Sequence, residues 1–201
     1  MKKKSFLYPI IFMSAITAIF TFVLAYLNYS TAERIDFLQD IELKKKILYV
    51  FDIPIPSDVP EEIDQVFNQF IEEDDSVEPP IFYTVENGEK TGYAIPASGP
   101  GLWGGIDAYV GISADFSTIL GLEFISHEET PGLGGRISDM EFLEQFRDLD
   151  ISNSSDRSYI VFRPASGGNV DAISGATLTS QSVRDLLNVD LEDFLKERRG
   201  D

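Results

Sequence analysis

The first pattern along the chain is an apolar stretch without charged residues, which runs from Ser5 to Tyr29. As an α-helix, this stretch would be roughly 36 Å long, enough to cross a hydrocarbon core of about 30 Å. It is longer than the apolar core of a usual signal peptide, and only a weak small-x-small cleavage site follows it at 28–33. We therefore predict an uncleaved transmembrane anchor, with a cleaved signal peptide as the alternative.

A helical spacing of apolar residues continues beyond this anchor, from Thr31 to Tyr49. Prolines at positions 54, 56 and 60 then interrupt it. We accordingly divide the chain into a lysine-rich start and anchor at 1–30, a helical stalk and linker at 31–56, and a folded domain at 57–201. A domain of about 130–150 residues is large enough to bury its own hydrophobic core.

The pattern in the folded domain predicts strands with helices before and after them. An amphipathic helix is predicted at 61–72 and an acidic loop at 73–80. Two strand pairs follow, 81–86 with 91–95 around the turn Asn87-Gly88, and 108–114 with 119–126. The remaining predictions are a helix at 141–149, a strand at 158–162, and helices at 181–187 and 191–198. Strand pairs joined by short turns favour an α+β fold with a mostly antiparallel sheet flanked by helices.

The charge of the chain is strongly negative and unevenly distributed. Acidic residues number 34 and basic residues 16, which gives a formal net charge of −18. No acid precedes Glu33, whereas Lys2, Lys3 and Lys4 stand before the apolar stretch. Basic residues beside an anchor favour the cytoplasmic side, so we expect a single-pass protein of the cytoplasmic (inner) membrane with its N-terminus in the cytoplasm and its main domain periplasmic or extracytoplasmic. The acidity of the domain argues against binding to nucleic acid or to anionic lipid.

The chain has no cysteine and a single histidine, His127. Disulfides, thiolate ligands and Cys-ligated iron–sulfur clusters are therefore excluded, and so are metal sites with several histidines. We predict no metal site. Any redox chemistry has to come from an added organic cofactor or from a partner.

A turn of small residues and hydroxyls precedes the helix predicted near the C-terminus. Gly175 and Ala176 carry almost no side chain, so a large group can approach the backbone there. Thr177, Thr179 and Ser180 place hydroxyls at the helix start, where unpaired N–H groups favour a phosphate. On local sequence alone, an ordinary helix N-cap is the commoner explanation of the same residues.

A second glycine-rich segment is Thr130-Pro-Gly-Leu-Gly-Gly135. Gly132 and Gly134 permit backbone geometries that let amide groups press against a flat ring, with Leu133 supplying apolar contact. An ordinary turn after a strand explains these residues equally well.

A third glycine-rich segment is Gly99-Pro-Gly-Leu-Trp-Gly104, which contains the only tryptophan of the chain, Trp103. Its setting among glycines, outside any periodic apolar run, favours a ring that covers a cofactor or marks a partner contact. A lid over the core is the alternative.

These three segments resemble motifs of the FMN-binding domain family, in the family's order. Asp171-Ala-Ile-Ser-Gly-Ala-Thr177 matches the family's flavinylation motif at every position. The segment 127–135 resembles its Thr-Pro-Gly-Leu-Gly loop, and 99–104 resembles a Gly-x-Gly-Leu-Trp element. The family includes the C subunit of the sodium-translocating NADH:quinone reductase (Nqr) and the G subunit of the related Rnf complex. Together with the anchor, the likeness covers most of the chain.

The resemblance implies that one FMN is bound covalently to Thr177 through a phosphoester. Thr179, two residues further on, is the competing acceptor, and the match to the family motif favours Thr177. A threonine hydroxyl is a weak nucleophile, and no histidine or cysteine lies nearby in the sequence to activate it. We infer that another enzyme forms the bond. The resemblance agrees, since it implies a flavin transferase that uses FAD as the donor and needs magnesium.

The other motif residues then serve the transferase or the cofactor. Asp171, Ser174 and Gly175 would form the recognition sequence, next to the small Ala176, and Asp171 as a plain turn or cap residue is an equal alternative. The resemblance favours contacts on the flavin side for the loop residues Thr130, Gly132, Leu133 and Gly134. Trp103 is a further candidate contact because of its glycine-rich setting. His127 and Glu128 are candidates for tuning the flavin, against the plainer interpretation of His127 as a capped surface residue.

The function implied by the resemblance is that of a membrane-anchored electron-transfer subunit in an ion-translocating NADH:quinone or ferredoxin:NAD oxidoreductase. Its partners would be the other subunits, and we predict no catalytic residue and no complete activity for this chain alone. Its length matches the G subunit of Rnf, whereas the Leu-Trp and Gly-Gly details match the C subunit of Nqr, so both complexes stay open. Two alternatives remain, a stand-alone exported flavinylated reductase or electron shuttle, and a non-redox acidic binding module.

Overall fold

The computed structural model describes residues 7–74, 76–86, 88–152, 154 and 158–199. The lysines ahead of the predicted anchor, the first two residues of the anchor (Ser5 and Phe6), and Asn87 of the predicted hairpin turn lie outside the described residues. Contacts between residues divide the chain into two compact units, 1–42 and 43–201. The second unit contains the sheet and the candidate site.

A single helix, α1 (Leu7–Val50), covers both the predicted anchor and the predicted stalk. Among the described residues it is the one helix long and apolar enough to cross a membrane, and none of its apolar window is buried. It ends at Val50, shortly before the first of the three prolines. The long N-terminal apolar helix predicted from the sequence is therefore confirmed.

Six strands form one sheet in which each strand pairs antiparallel with its neighbours in the sequence. They are β1 (Ile71–Asp74), β2 (Ile81–Glu86), β3 (Glu89–Pro100), β4 (Gly105–Ser113), β5 (Thr118–His127) and β6 (Leu149–Asp150). This arrangement confirms the predicted α+β fold with a mostly antiparallel sheet. The strand β3 is longer than predicted and includes the first two residues of the 99–104 segment.

Helices pack on both faces of the sheet. On one face, Val110 and Leu122 share a fully buried core with Leu187 of α4 (Thr177–Arg199). On the other face, the ring of Phe82 lies 5.8 Å from that of Phe67, which belongs to α2 (Pro60–Phe70). Alternate residues of the strands face opposite sides, so the period-2 pattern of the sequence supplies both layers.

The C-terminal end of α1 is held against the sheet by Arg147. The Nη1 of Arg147 donates to the carbonyls of Val50 at 3.2 Å and Leu120 at 2.8 Å, and its Nη2 donates to the carbonyl of Tyr49 at 3.0 Å. The last carbonyls of a helix have no partner within the helix. Arg147 donates to two of these carbonyls, those of Tyr49 and Val50, and its bond to the Leu120 carbonyl connects them to β5.

The prediction of a strand at 158–162 is wrong. Within the described residues, Phe162 forms only an isolated bridge with Val170. The N–H of Ile160 donates to the Oδ1 of Asn188 at 2.8 Å, and its carbonyl accepts from the Nδ2 of the same side chain at 2.9 Å. Because a side-chain amide pairs with these buried backbone groups, this apolar run does not need to join a sheet.

Four other predictions are corrected in detail. The helix predicted at 141–149 is a short α3 (Met140–Leu143), followed by a 3-10 turn and then by β6. The amphipathic helix predicted at 61–72 ends at Phe70, and its last two predicted residues belong to β1. The first residues of the predicted acidic loop, 73–74, also belong to β1. The two helices predicted at 181–187 and 191–198 form one helix, α4, which continues through residues 188–190. The side chain of Asp190, in this middle part, accepts from the N–H of Ser98 at 3.0 Å.

Candidate functional site

The turn ahead of α4 is a tight bend that requires a glycine. Gly175 has φ +81°, a left-handed backbone conformation that other residues rarely adopt. The N–H of Ala176 donates to the carbonyl of Ile173 at 3.1 Å, and the N–H of Ile173 donates to the hydroxyl of Ser180 at 3.0 Å. Side chain and backbone together therefore fix the bend against the first turn of α4.

The three hydroxyls at this helix start have different environments. Thr179 is 1% exposed, and its hydroxyl donates to the Oε2 of Glu129 at 2.6 Å. Ser180 is fully buried and uses its hydroxyl inside the bend. Thr177, the first residue of α4, is exposed. The predicted acceptor is thus the hydroxyl that a bulky group can reach, whereas its competitor Thr179 is committed to a buried partner.

The first backbone N–H groups of α4 lie ahead of the regular hydrogen-bond pattern of the helix. The N–H of Ser180 donates to the carbonyl of Ala176 at 3.0 Å. The N–H groups of residues 177 to 179 come before this bond, at the positive end of a 23-residue helix. N–H groups at the positive end of a helix favour a phosphate.

Asp171 lies at the other end of the motif and is oriented by two side chains. Its carboxylate pairs with the Nη1 of Arg163 at 2.7 Å. Its N–H donates to the Oε1 of Gln145 at 2.7 Å, and its carbonyl accepts from the Nε2 of Gln145 at 3.4 Å. The Asp171 side chain is 64% exposed and Ser174 is exposed too. Both the turn role and the recognition role of Asp171 are compatible with this geometry.

An open cleft of about 470 Å³ borders this end of the motif. Its lining includes the exposed side chains of Asp171 and Ser174, together with Arg136 and Arg163. Arg136 pairs with Asp139 at 3.2 Å and Arg163 with Asp171, so the two positive charges are compensated. The cleft is a mixed polar surface and not a concentrated positive site.

The second glycine-rich segment folds back on itself beside the bend. The carbonyl of Thr130 accepts from the N–H groups of Leu133 at 3.1 Å and Gly135 at 2.9 Å. Gly132 has φ +73° and open space around it. Leu133 is 50% exposed, and its Cδ2 lies 3.8 Å from the position that a Cβ on Gly175 would take. The structure thus brings the predicted Leu133 loop next to the predicted attachment bend.

The third segment presents Trp103 to solvent. Trp103 is 68% exposed and Leu102 is 46% exposed. The N–H of Gly101 donates to the carbonyl of Gly104 at 2.7 Å, which closes a short turn around them. Because the ring is exposed, the alternative of a lid over the core is not supported.

One residue that brings these segments together was missed by the sequence analysis. Glu129 is 5% exposed and contacts both the Trp103 segment and α4. The sequence signal for it was weak, since an acid between a strand and a glycine-rich loop usually faces solvent. Its neighbours His127 and Glu128 were singled out in its place.

His127 has the plainer role. Its Nδ1 accepts from the N–H of Glu129 at 3.3 Å, and its Nε2 lies 3.0 Å from the Oγ of Ser138. Both ring nitrogens are therefore used in capping the loop. Glu128 is exposed. Among the described residues, no group of three or more His, Asp or Glu side chains is arranged to hold a metal ion.

The profile of the family described as FMN-binding domain matches residues 101–192. Over 132 residues, the chain is 39% identical to the G subunit of the ion-translocating oxidoreductase complex of Methanosarcina acetivorans, covering 64% of this chain and 66% of that protein. Over 120 residues, it is 34% identical to the C subunit of the Na(+)-translocating NADH-quinone reductase of Vibrio vulnificus, covering 57% and 47%. The chain thus spans less than two thirds of the first relative and about half of the second.

Two solved structures share the fold. The C subunit of the Na(+)-translocating NADH-quinone reductase of Parabacteroides distasonis superposes with a TM-score of 0.66 at 25% identity, covering 80% of this chain and 93% of that chain. NqrC of Shewanella oneidensis superposes with a TM-score of 0.65 at 21% identity, covering 76% and 91%.

Proposed function

Because residues 101–192 match the FMN-binding domain family, we propose that the chain carries FMN covalently on Thr177 and acts as a membrane-anchored electron-transfer subunit of an ion-translocating oxidoreductase. The single observation that carries the attachment site is the contrast between two threonines. Thr177 is exposed at the start of α4, while the hydroxyl of Thr179 is buried and donates to Glu129.

The residues around Thr177 fit a flavin. Gly175 and Ala176 leave room beside the hydroxyl, and the N–H groups of the first turn of α4 suit a phosphate. Exposed apolar side chains suited to a flat ring are present at the bend, on Leu133 and Leu178, and on the segment that Glu129 joins to α4, on Leu102 and Trp103. When bound, FMN would supply the electron transfer, and the protein would hold it and set its surroundings.

A covalent tether also suits the charge of the chain. Beyond Ala32 the sequence has all 34 acidic residues and 13 of the 16 basic ones. Such a surface repels a free phosphate dianion, and forming the ester removes one of the two phosphate charges. The Thr177 hydroxyl has no histidine or cysteine beside it in sequence to activate it, so a separate flavin transferase would form the bond.

We place the domain outside the cytoplasm. The helix α1 is long and apolar enough to serve as the anchor, and Lys2, Lys3 and Lys4 precede it in the sequence. Positive residues beside an anchor favour the cytoplasmic side. In this arrangement, the flavin would face electron partners at the outer surface of the cytoplasmic membrane.

The attachment site is tested by Thr177→Ala in the full chain, expressed in its own host with the flavin transferase present. We expect the covalent flavin fluorescence on a denaturing gel to disappear, because the exposed hydroxyl is the acceptor. The matched control is Thr179→Ser, which keeps a hydroxyl for Glu129 and should keep the fluorescence. Peptide mapping across Val170–Arg184 locates the adduct. Fluorescence that persists in Thr177→Ala refutes the site.

Partner subunits are tested separately by purifying the tagged chain from native membranes in mild detergent. We expect other membrane subunits of an oxidoreductase to co-purify with it. A flavinylated chain that is recovered alone and still exchanges electrons would instead support the stand-alone reductase or shuttle. A wild-type chain without flavin, from cells that flavinylate other proteins, would support the non-redox binding module.

A further inference from the structure

A buried carboxylate stands where the three glycine-rich segments meet. The Oε1 of Glu129 accepts from the backbone N–H groups of Leu102 at 2.6 Å and Trp103 at 3.2 Å. Its Oε2 accepts from the hydroxyl of Thr179 at 2.6 Å. The backbone of Glu129 leads directly into the loop that contains Leu133. One side chain therefore joins segments that are far apart in the sequence.

The surrounding glycines show how closely this carboxylate is enclosed. A Cβ on Gly101 would lie 2.5 Å from Oε1, and a Cβ on Gly134 would lie 2.5 Å from Oε2 and 2.6 Å from the Thr179 hydroxyl. Any larger residue at either position would displace the carboxylate. Two glycines from different segments thus make room for Glu129 and its hydrogen bonds.

The apolar side chains carried by these segments are exposed. Leu102 and Trp103 are 46% and 68% exposed, although both of their N–H groups are bonded to the buried carboxylate. Leu133 is next to Gly175. Thr179, the partner of Glu129 on α4, is two residues from Thr177. One carboxylate therefore links the backbone that carries Leu102 and Trp103 to the helix start that carries Thr177.

We propose that Glu129 is a positioning residue of the flavin site, which holds the segments carrying Trp103 and Leu133 against the helix start that carries Thr177. Glu129 acts through these loops and not on the reacting atoms. That these segments position a flavin rests on the proposed function, whereas the hydrogen bonds of Glu129 exist without flavin. The two parts can therefore be tested apart.

The informative pair of variants is Glu129→Gln and Glu129→Ala. In Glu129→Gln the amide oxygen accepts from Leu102 and Trp103, and the amide N–H₂ donates to the Thr179 hydroxyl, which also accepts. All three contacts are kept while the carboxylate is removed. In Glu129→Ala all three are lost, and the buried donors are left unpaired. A second pair, Thr179→Ser and Thr179→Val, keeps or removes the hydroxyl alone.

The first measurement is amide hydrogen exchange at Leu102 and Trp103 in the full chain in detergent, in a Thr177→Ala background that holds no covalent flavin. Losing a hydrogen bond to a charged group typically shifts an opening equilibrium by about ten-fold or more, and exchange follows that equilibrium. We expect exchange to be about ten-fold faster in the Glu129→Ala variant, with the Gln variant staying within about three-fold of its parent. Equal exchange in all three chains overturns the proposal.

The second measurement uses Trp103, the only tryptophan, as a reporter in chains that keep Thr177 and are made with the transferase. A flavin near the indole quenches its fluorescence. We expect Glu129→Ala and Thr179→Val to lose much of this quenching relative to unflavinylated protein, and Glu129→Gln and Thr179→Ser to keep it. Quenching that is the same in the Ala and Gln variants overturns the proposal.

The outcomes separate the two hypotheses. If the wild-type chain carries no flavin, the proposed function fails, and hydrogen exchange still decides whether Glu129 holds the Trp103 segment. If the wild-type chain is flavinylated and Glu129→Ala behaves like the wild type in both measurements, only the positioning role fails. Should Glu129→Ala not fold, the Thr179→Val and Thr179→Ser pair decides the matter with the same two measurements.

Discussion

The end of α1 lies against a part of the sheet that has room only for glycine. Gly111 of β4 and Gly121 of β5 are partners across the sheet. A Cβ on Gly111 would lie 2.6 Å from the Cγ1 of Val50 and 3.3 Å from its carbonyl oxygen. Val50 is fully buried, and as a β-branched residue it has few rotamers to move into. We therefore predict that Gly111→Ala destabilises the folded domain.

The expected size follows from two opposing effects. Forcing an extra methyl group into a packed core typically costs about 1–3 kcal/mol. Replacing glycine by alanine inside a strand returns about 0.5–1 kcal/mol. From the midpoints of these two ranges, the net loss of unfolding free energy should be about 1 kcal/mol. Gly105, in the same strand, has no atom within 4 Å of its would-be Cβ, so Gly105→Ala should be neutral or slightly stabilising.

The assay is urea unfolding of the full chain in detergent, followed by far-UV circular dichroism, with the midpoint and slope compared among variants. A Val50→Ala change removes the atom nearest to the new methyl group. It should therefore cost less in the Gly111→Ala background than in the wild type, with a coupling of at least about 0.5 kcal/mol. If Gly111→Ala is as stable as Gly105→Ala, or if the two changes simply add, the steric argument is refuted.

Two further predictions concern the same domain. Arg147→Met should lower the unfolding free energy by about 2–4 kcal/mol, because the carbonyls of Val50 and Leu120 lose a charged donor. Arg147→Lys keeps the charge but not the forked guanidinium, and it should lower the unfolding free energy less in the same assay. Burial, and secondarily the Glu73 carboxylate, raises the pKa of Tyr109 from 10.0 to about 12. The folded chain therefore holds this proton more tightly than the unfolded one, and the stability it contributes is complete below pH 10 and lost as pH rises through about 12. Tyr109→Phe should flatten the decline in stability between these pH values, and an unchanged pH profile would contradict the assignment.

The strands could be predicted where the alternating apolar pattern of the sequence matches the packing of the strand between two layers. Residues 81–86, 108–114 and 119–126 alternate between two packed layers, and all three regions form strands. The region 158–162 has a similar apolar character but a different environment. Its backbone groups are paired with the side-chain amides of Asn169 and Asn188, which no local pattern shows. Tertiary hydrogen bonding overrode strand propensity there.

The candidate site divides in the same way. The motif residues were recognisable because glycines and hydroxyls in a fixed order are a local signal. Thr177 as the attachment site stays a prediction, and the structure adds that its side chain is exposed. Glu129 was not recognisable. Its burial requires the Trp103 segment to fold back over a carboxylate 26 residues further along the chain. Whether an acid faces solvent or bridges loops is decided by such long-range contacts.

The edge strand β1 consists of Ile71 followed by Glu72, Glu73 and Asp74. It is four residues long and lies at the open margin of the sheet. Short margins rich in negative charge resist joining the margin of another sheet. This edge of the sheet is therefore protected against pairing with the sheet of a second copy, even where the local concentration of the domain is high.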